Sequence, residues 1–126
     1  MSEVRGVVVA HGELASALVR AVEGISGVEE ALEPLSNEGC TPDELARRVR
    51  RATGQGPAIV FVDMASGSCA FAGRRIAREG TIAVVSGVNL PMLLDFVFHR
   101  DMDLRSLAER VLAKGRAGAT ADLPGE

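Results

Sequence analysis

VVVAHGELASALVRAV, residues 7–22, changes its hydrophobic period halfway along. Its first part belongs to a continuous β-branched run over residues 4–10, of the kind that forms a strand buried on both faces. From about Glu13 the apolar residues Leu14, Leu18, Val22 and Ile25 recur at helical spacing. A helix over residues 13–25 therefore packs back on the strand, with Gly24 and Gly27 marking its end. His11 and Gly12 stand at the joint, where a buried strand hands over to a helix.

The same alternation repeats along the chain. Residues 28–35 are a weaker strand candidate, diluted by Glu29, Glu30 and Glu33, and residues 36–40 read as loop. Thr41-Pro42-Asp43-Glu44 is a capping box with Pro at the first helical position, so a helix with Leu45, Val49 and Ala52 inward starts there and ends at Gly54 and Gly56. Residues 57–62 form a second strongly apolar strand. Ser66-Gly67-Ser68 then opens a short helix with Cys69, Ala72 and Ile76 inward and Gly80 as its stop. Residues 81–85 are the next strand, and a tight loop over residues 86–91 leads into a helix from Pro91 carrying Leu93, Leu94, Phe96, Val97 and Phe98. Asp103 caps a last helix with Leu104, Leu107, Val111 and Leu112 inward, ending before Gly115. This order predicts an α/β fold: a mostly parallel central sheet with helices on both faces, because parallel neighbours need crossover connections. The domain spans residues 1–114 and is followed by a Gly- and Ala-rich tail over residues 115–126.

Bulk properties narrow the function classes. A chain of 126 residues, 47% apolar and 25% charged, makes one domain with a real core. Its net charge of −3 gives no electrostatic footprint for nucleic acid or an anionic membrane, and Arg47, Arg48, Arg50 and Arg51 read as the solvated face of a helix. Cys40 and Cys69 are expected to be free thiols. No ligand-spaced His/Cys set points to a metal, and no glycine-rich phosphate loop points to a nucleotide, so no cofactor is expected. The start MSEVRG is unlike a signal peptide, and no apolar run reaches the roughly 18 residues of a membrane span, so a cytoplasmic protein is expected.

In a parallel sheet the strand C-termini share one edge, and function collects there. His11, Asp63, Ser66-Gly67-Ser68, Asn89 and Pro91 all fall at that edge. An imidazole with one nitrogen bonded to Asp63 has its tautomer fixed and its other nitrogen free as a nucleophile. The N-terminus of the helix opened by Ser68 would stabilise a phosphoryl group arriving on that nitrogen, and Gly12 keeps the approach open. These parts point to reversible phosphoryl transfer through a phosphohistidine. Each has a duller reading as well: a hydrogen-bonded structural histidine, a turn-capping aspartate and an ordinary helix cap. A histidine-dependent phosphatase fits less well, since Ala10 precedes His11 where such enzymes place an arginine, and His99, at a helix end beside Phe98 and Arg100, suits a structural or dipole role.

The segments VVVAHGELASALVRAVEGISG, FVDMASGSCAF and VVSGVNLPMLLD, in that order, resemble the IIA components of the mannose-type sugar phosphotransferase system over nearly the whole chain. The resemblance implies that His11 is a phosphorylated histidine taking its phosphoryl group from phospho-HPr and passing it to a IIB component. It implies that Asp63 orients His11, that Gly67 and Ser68 lie near the phosphoryl oxygens, and that Gly12, Ser66, Asn89 and Pro91 line the site. It further implies a cytoplasmic phosphotransferase that forms a homodimer, in which a C-terminal strand crosses to the partner's sheet, and that associates peripherally with a IIC/IID permease. The chain departs from the family where relatives carry a bulky residue and paired glycines after the aspartate: here the stretch is Met64-Ala65-Ser66-Gly67. The stretch expected to supply the exchanged strand, residues 115–122, is poor in β-formers. With no IIB domain or linker following, a stand-alone IIA is expected, whose phosphorylation serves either sugar transport or the control of a regulatory partner.

Overall fold

The computed structural model describes residues 3–78 and 81–125. Among them lie four strands and five helices in the order β1 (Arg5–Ala10), α1 (Leu14–Ser26), β2 (Leu32–Ser36), α2 (Pro42–Thr53), β3 (Ala58–Val62), α3 (Ser68–Ala77), β4 (Ile82–Ser86), α4 (Leu90–Val97) and α5 (Leu104–Ala117). The sheet order is β2-β1-β3-β4 and every pairing is parallel, as the alternation of strands and helices predicts. Chain direction and handedness then settle the layers. The step from β1 to β2 runs one way along the sheet and the steps to β3 and β4 run the other way, so right-handed crossovers put α1 on one face and α2 with α3 on the opposite one. After β4 the chain returns to the α1 face, where α4 and α5 complete the cover.

The strands' twofold side-chain period feeds two cores. Val8 of β1 with Ile59 and Phe61 of β3 pack under α1, α4 and α5. Val7 and Val9, with Val60 and Val62, pack under α2 and α3 around Leu45, Val49, Cys69 and Ile76. On the first face Phe61 and Phe96 meet edge to face, with centroids 5.2 Å apart. Gly6 of β1 makes room for this: a Cβ there would lie 2.5 Å from Leu32 Cδ2 and 2.6 Å from Phe96 Cε2.

Several expectations need adjusting. The apolar stripe of α1 is rotated: Ala15, Val19 and Val22 are buried, whereas Leu14 and Ile25 are 44% and 64% exposed. The small residues face the sheet because they allow close helix approach. In the capping box Thr41 Oγ1 accepts from Glu44 N as expected, but Glu44 Oε1 accepts from the Thr41 hydroxyl instead of reaching the cap's backbone. Phe98 caps α4 from outside and is exposed. The Gly80 stop lies outside the described residues. Gly115 does not end α5, which runs through it to Ala117. That glycine is a close-approach position, since a Cβ would strike the Met92 side chain, and its carbonyl accepts from Asn89 Nδ2 at 2.9 Å. The expected boundary after residue 114 therefore falls inside a helix, and residues 119–125 follow it exposed and without a strand in this chain. His99 does take a structural place, its Nδ1 2.7 Å from the Asp95 carbonyl oxygen at the end of α4.

Gly6→Ala should lower stability by about 1–3 kcal/mol through overpacking of the Leu32 and Phe96 side chains. Denaturant unfolding of the variant against wild type measures this, and an unchanged midpoint would contradict the packing described.

Candidate functional site

The sheet order reverses direction between β1 and β3, and in open α/β sheets the crevice at such a point, beyond the strand C-termini, is where ligands bind. The register pairs Val9 with Val62, so the two chains leave the sheet side by side, carrying His11 and Asp63. One carboxylate oxygen, Asp63 Oδ2, accepts from the His11 backbone N–H at 3.0 Å and lies 2.8 Å from the ring Nδ1. The Asp63 side chain is 10% exposed and the His11 side chain 44%. Burial pushes the Asp63 carboxyl pKa up, but the His11 backbone and ring donors together outweigh it and hold the group below the ordinary carboxylate value. Asp63 is therefore ionised and can only accept, so a ring proton sits on Nδ1 and Nε2 is the ring nitrogen turned away from the carboxylate.

The free edge of the ring faces the start of α3. A Cβ on Gly67 would lie 3.8 Å from His11 Cε1 and 4.0 Å from Nε2. Gly67 has φ +94° and ψ −178°, a conformation open essentially to glycine alone, and no side chain caps the helix that follows. The first N–H groups of α3 and the positive end of its dipole are thus left for an anion beside Nε2. Ser68 is the first residue of this helix and Ser66 is exposed in the preceding turn. The Arg74 guanidinium ties that turn to α3 by donating to the Ala65 carbonyl.

The other candidates divide. Gly12, at φ +61°, donates its N–H to Asn37 Oδ1 at 3.3 Å, and the Asn37 N–H donates to the Ala10 carbonyl at 3.2 Å. The loop after β2 is thereby held against the histidine turn. The loop after β4 reaches the same edge through its backbone, Val88 N donating to the Val62 carbonyl at 3.0 Å. Its side chains do other work: Asn89 Oδ1 caps α4 by accepting from Met92 N, and Pro91 lies against Gly118 beyond α5. Asn37 and Cys69 were missed from sequence. Asn37 was legible by the strand-end rule, standing directly after β2. Cys69 reads as a core residue from its spacing and is fully buried, but its Sγ also lies 3.9 Å from His11 Nδ1. Burial, then the Asp63 charge, raise its thiol pKa, so it is a neutral neighbour of the pair.

Residues 6–112 match the family described as EIIA-man, PTS system fructose IIA component. The chain belongs to the EIIA-man family. It is thus one of the IIA components of the phosphotransferase system, a class of phosphotransferases. Solved structures share the fold of this EIIA-man chain. The EIIA component from Streptococcus agalactiae superposes with a TM-score of 0.87 at 23% identity, covering 94% of this chain and 96% of that one. The mannose/sorbose-specific IIA subunit from Enterococcus faecalis gives 0.82 at 20% identity over 99% of each chain. A sigma-54 interaction domain protein from Enterococcus faecalis gives 0.76 at 12% identity, covering 92% of this chain and 93% of that one. Among the described residues of this EIIA-man chain no helix is long and apolar enough to cross a membrane.

Gly67→Ala should cost about 1–3 kcal/mol, because the substituted residue must hold a glycine-only conformation. Thermal or denaturant unfolding reads this. The Asp63 contact has its own pH signature. A carboxyl whose folded pKa is depressed contributes stability that is full above its unfolded value and is lost as pH falls through the folded one. The stability difference between wild type and Asp63→Asn should therefore be steady above the ordinary carboxylate value and shrink below it. Unfolding curves of both proteins across that range check the sign.

Proposed function

We propose that this chain is a cytoplasmic phosphohistidine carrier, taking a phosphoryl group from phospho-HPr on His11 and passing it to a IIB component. The observation that supports the reading most is the anchoring of Nδ1 by Asp63 at 2.8 Å, which leaves Nε2 free beside an uncapped helix N-terminus. In the forward step the Nε2 lone pair attacks the donor's phosphorus. The new N–P bond forms as the donor's P–N bond breaks, and the departing HPr imidazole keeps the bonding electron pair. The positive charge that develops on the His11 ring is met by the Asp63 carboxylate. Gly67, Ser68 and the following N–H groups receive the phosphoryl oxygens, and Gly12 and Ser66 border the approach. Asn89 and Pro91 act on this site through the loop they anchor. Transfer to IIB repeats the exchange in the same geometry, so the carrier needs positioning and charge stabilisation and no cofactor. The working form is a homodimer in which the exposed segment beyond α5, residues 119–122 of the stretch first expected to cross, joins the partner's sheet, docked on a IIC/IID permease.

Regulation is the second reading, and the sigma-54 interaction domain protein of the same fold favours keeping it. In it the phosphorylated and free forms of His11 bind a control protein differently.

Incubation with phosphoenolpyruvate, enzyme I and HPr should place acid-labile label on the wild-type protein, and none on His11→Ala. Asp63→Asn should slow labelling by roughly 10- to 100-fold through loss of the ring's orienting partner. Wild type that takes up no label would overturn the carrier reading. Label that enters His11 but reaches no IIB chain supports regulation instead.

A further inference from the structure

His11, Asp63 and Cys69 bring an imidazole nitrogen, a carboxylate oxygen and a thiol sulfur within 4.8 Å of one another, from the ends of β1 and β3 and the first turn of α3. We propose that this cluster is a binding site for a thiophilic divalent cation of the Zn2+ type, which switches the histidine off. A tetrahedral zinc with bonds of about 2.0–2.3 Å spaces its ligand atoms roughly 3.3–3.6 Å apart. The 3.9 Å from Cys69 Sγ to His11 Nδ1 is close to this, so small side-chain shifts complete the set. A second observation points the same way. Asp63 Oδ1 is buried and has no hydrogen-bond partner among the described residues, although the side chain is nine-tenths buried. An orphaned anionic oxygen in such a place is costly, and a cation satisfies it.

The donor set decides the class of ion. Thiolate with imidazole selects zinc-like metals over magnesium or calcium, which prefer all-oxygen sites. Charge balances as well: the dication displaces one proton, from the Cys69 thiol, and the resulting thiolate and the Asp63 carboxylate neutralise it. Three protein ligands leave the fourth position of a tetrahedral ion to water. Coordination through Nδ1 moves the ring proton to Nε2, the nitrogen that must attack phosphorus. The cation therefore binds the protein and removes its nucleophile together. This second consequence rests on the carrier reading above, whereas binding does not.

Co2+ added to the metal-free full-length protein is the probe, because a cobalt–thiolate bond gives a charge-transfer band in the near ultraviolet. Wild type should show that band, Zn2+ should abolish it by displacement, Cys69→Ser should lack it and Cys40→Ser should keep it. His11→Ala, which changes an exposed side chain and keeps the fold, should weaken Co2+ binding by roughly tenfold or more, since even an outer partner of a metal ligand is worth about that. No band in wild type, a band lost in Cys40→Ser instead of Cys69→Ser, or unchanged affinity in His11→Ala overturns the site. Label uptake separates the two readings. Metal-free protein that is labelled through HPr, blocked by stoichiometric Zn2+ and restored by a chelator supports both. Metal-free protein that takes no label while the band behaves as described overturns the carrier and leaves the cation site standing.

Discussion

One carboxylate oxygen organises the edge of this protein at which the strands end. Asp63 Oδ2 grips His11 twice, by its backbone N–H and by its ring, so it fixes both where the turn after β1 goes and how the imidazole is rotated within it. The two residues lie 52 positions apart in the chain and are neighbours only because β1 and β3 pair in parallel at the centre of the sheet. Everything that shapes the sheet bears on that contact: the β-branched strands, the small residues of α1 that let it sit close, and Gly6, which admits the Phe96 ring over β1.

The fold was legible because its signals are local and redundant. Each strand is a short apolar run, and each helix carries a period, a cap or a glycine stop, so the element order survives an error in any one of them. The errors that did occur share a cause. Helical spacing puts Leu14, Leu18, Val22 and Ile25 in the stripe of α1; Val22 is indeed buried and Leu18 packs against the core, but Ala15 and Val19 take the places at the contact that spacing gives to Leu14 and Ile25. Gly115 reads as a stop because glycine ends helices more often than it serves tertiary packing, and only the position of Met92 tells the two apart. Both are facts about neighbours far away in sequence.

The placement of the candidate residues was legible at the same level. The strand-end rule brought His11, Asp63, Gly67 and Ser68 to one edge, because topology alone decides it. It could not separate residues that touch the imidazole from residues that brace the loops around it. Asn89 and Pro91 sit at the right strand end, but the side chains hold α4 and α5, a division made by rotamer and helix packing. Cys69 shows the converse. Its spacing marks it as interior, which it is, but the interior at that depth is also the floor beneath His11. A sequence in which no His and Cys stand at metal-ligand spacing still gathers three such donors from three elements.

The parallel pairing of β1 with β3 has a consequence for the life of the chain as well as for its chemistry. Until the third strand docks, during synthesis or after partial unfolding, the histidine is an ordinary solvated imidazole with no fixed tautomer and no helix dipole at its side. The contact between His11 and Asp63 thus forms only once the central sheet is complete. An unfinished or damaged copy carries the same residues without their mutual placement, so the local geometry of one side chain is a readout of the whole sheet's assembly.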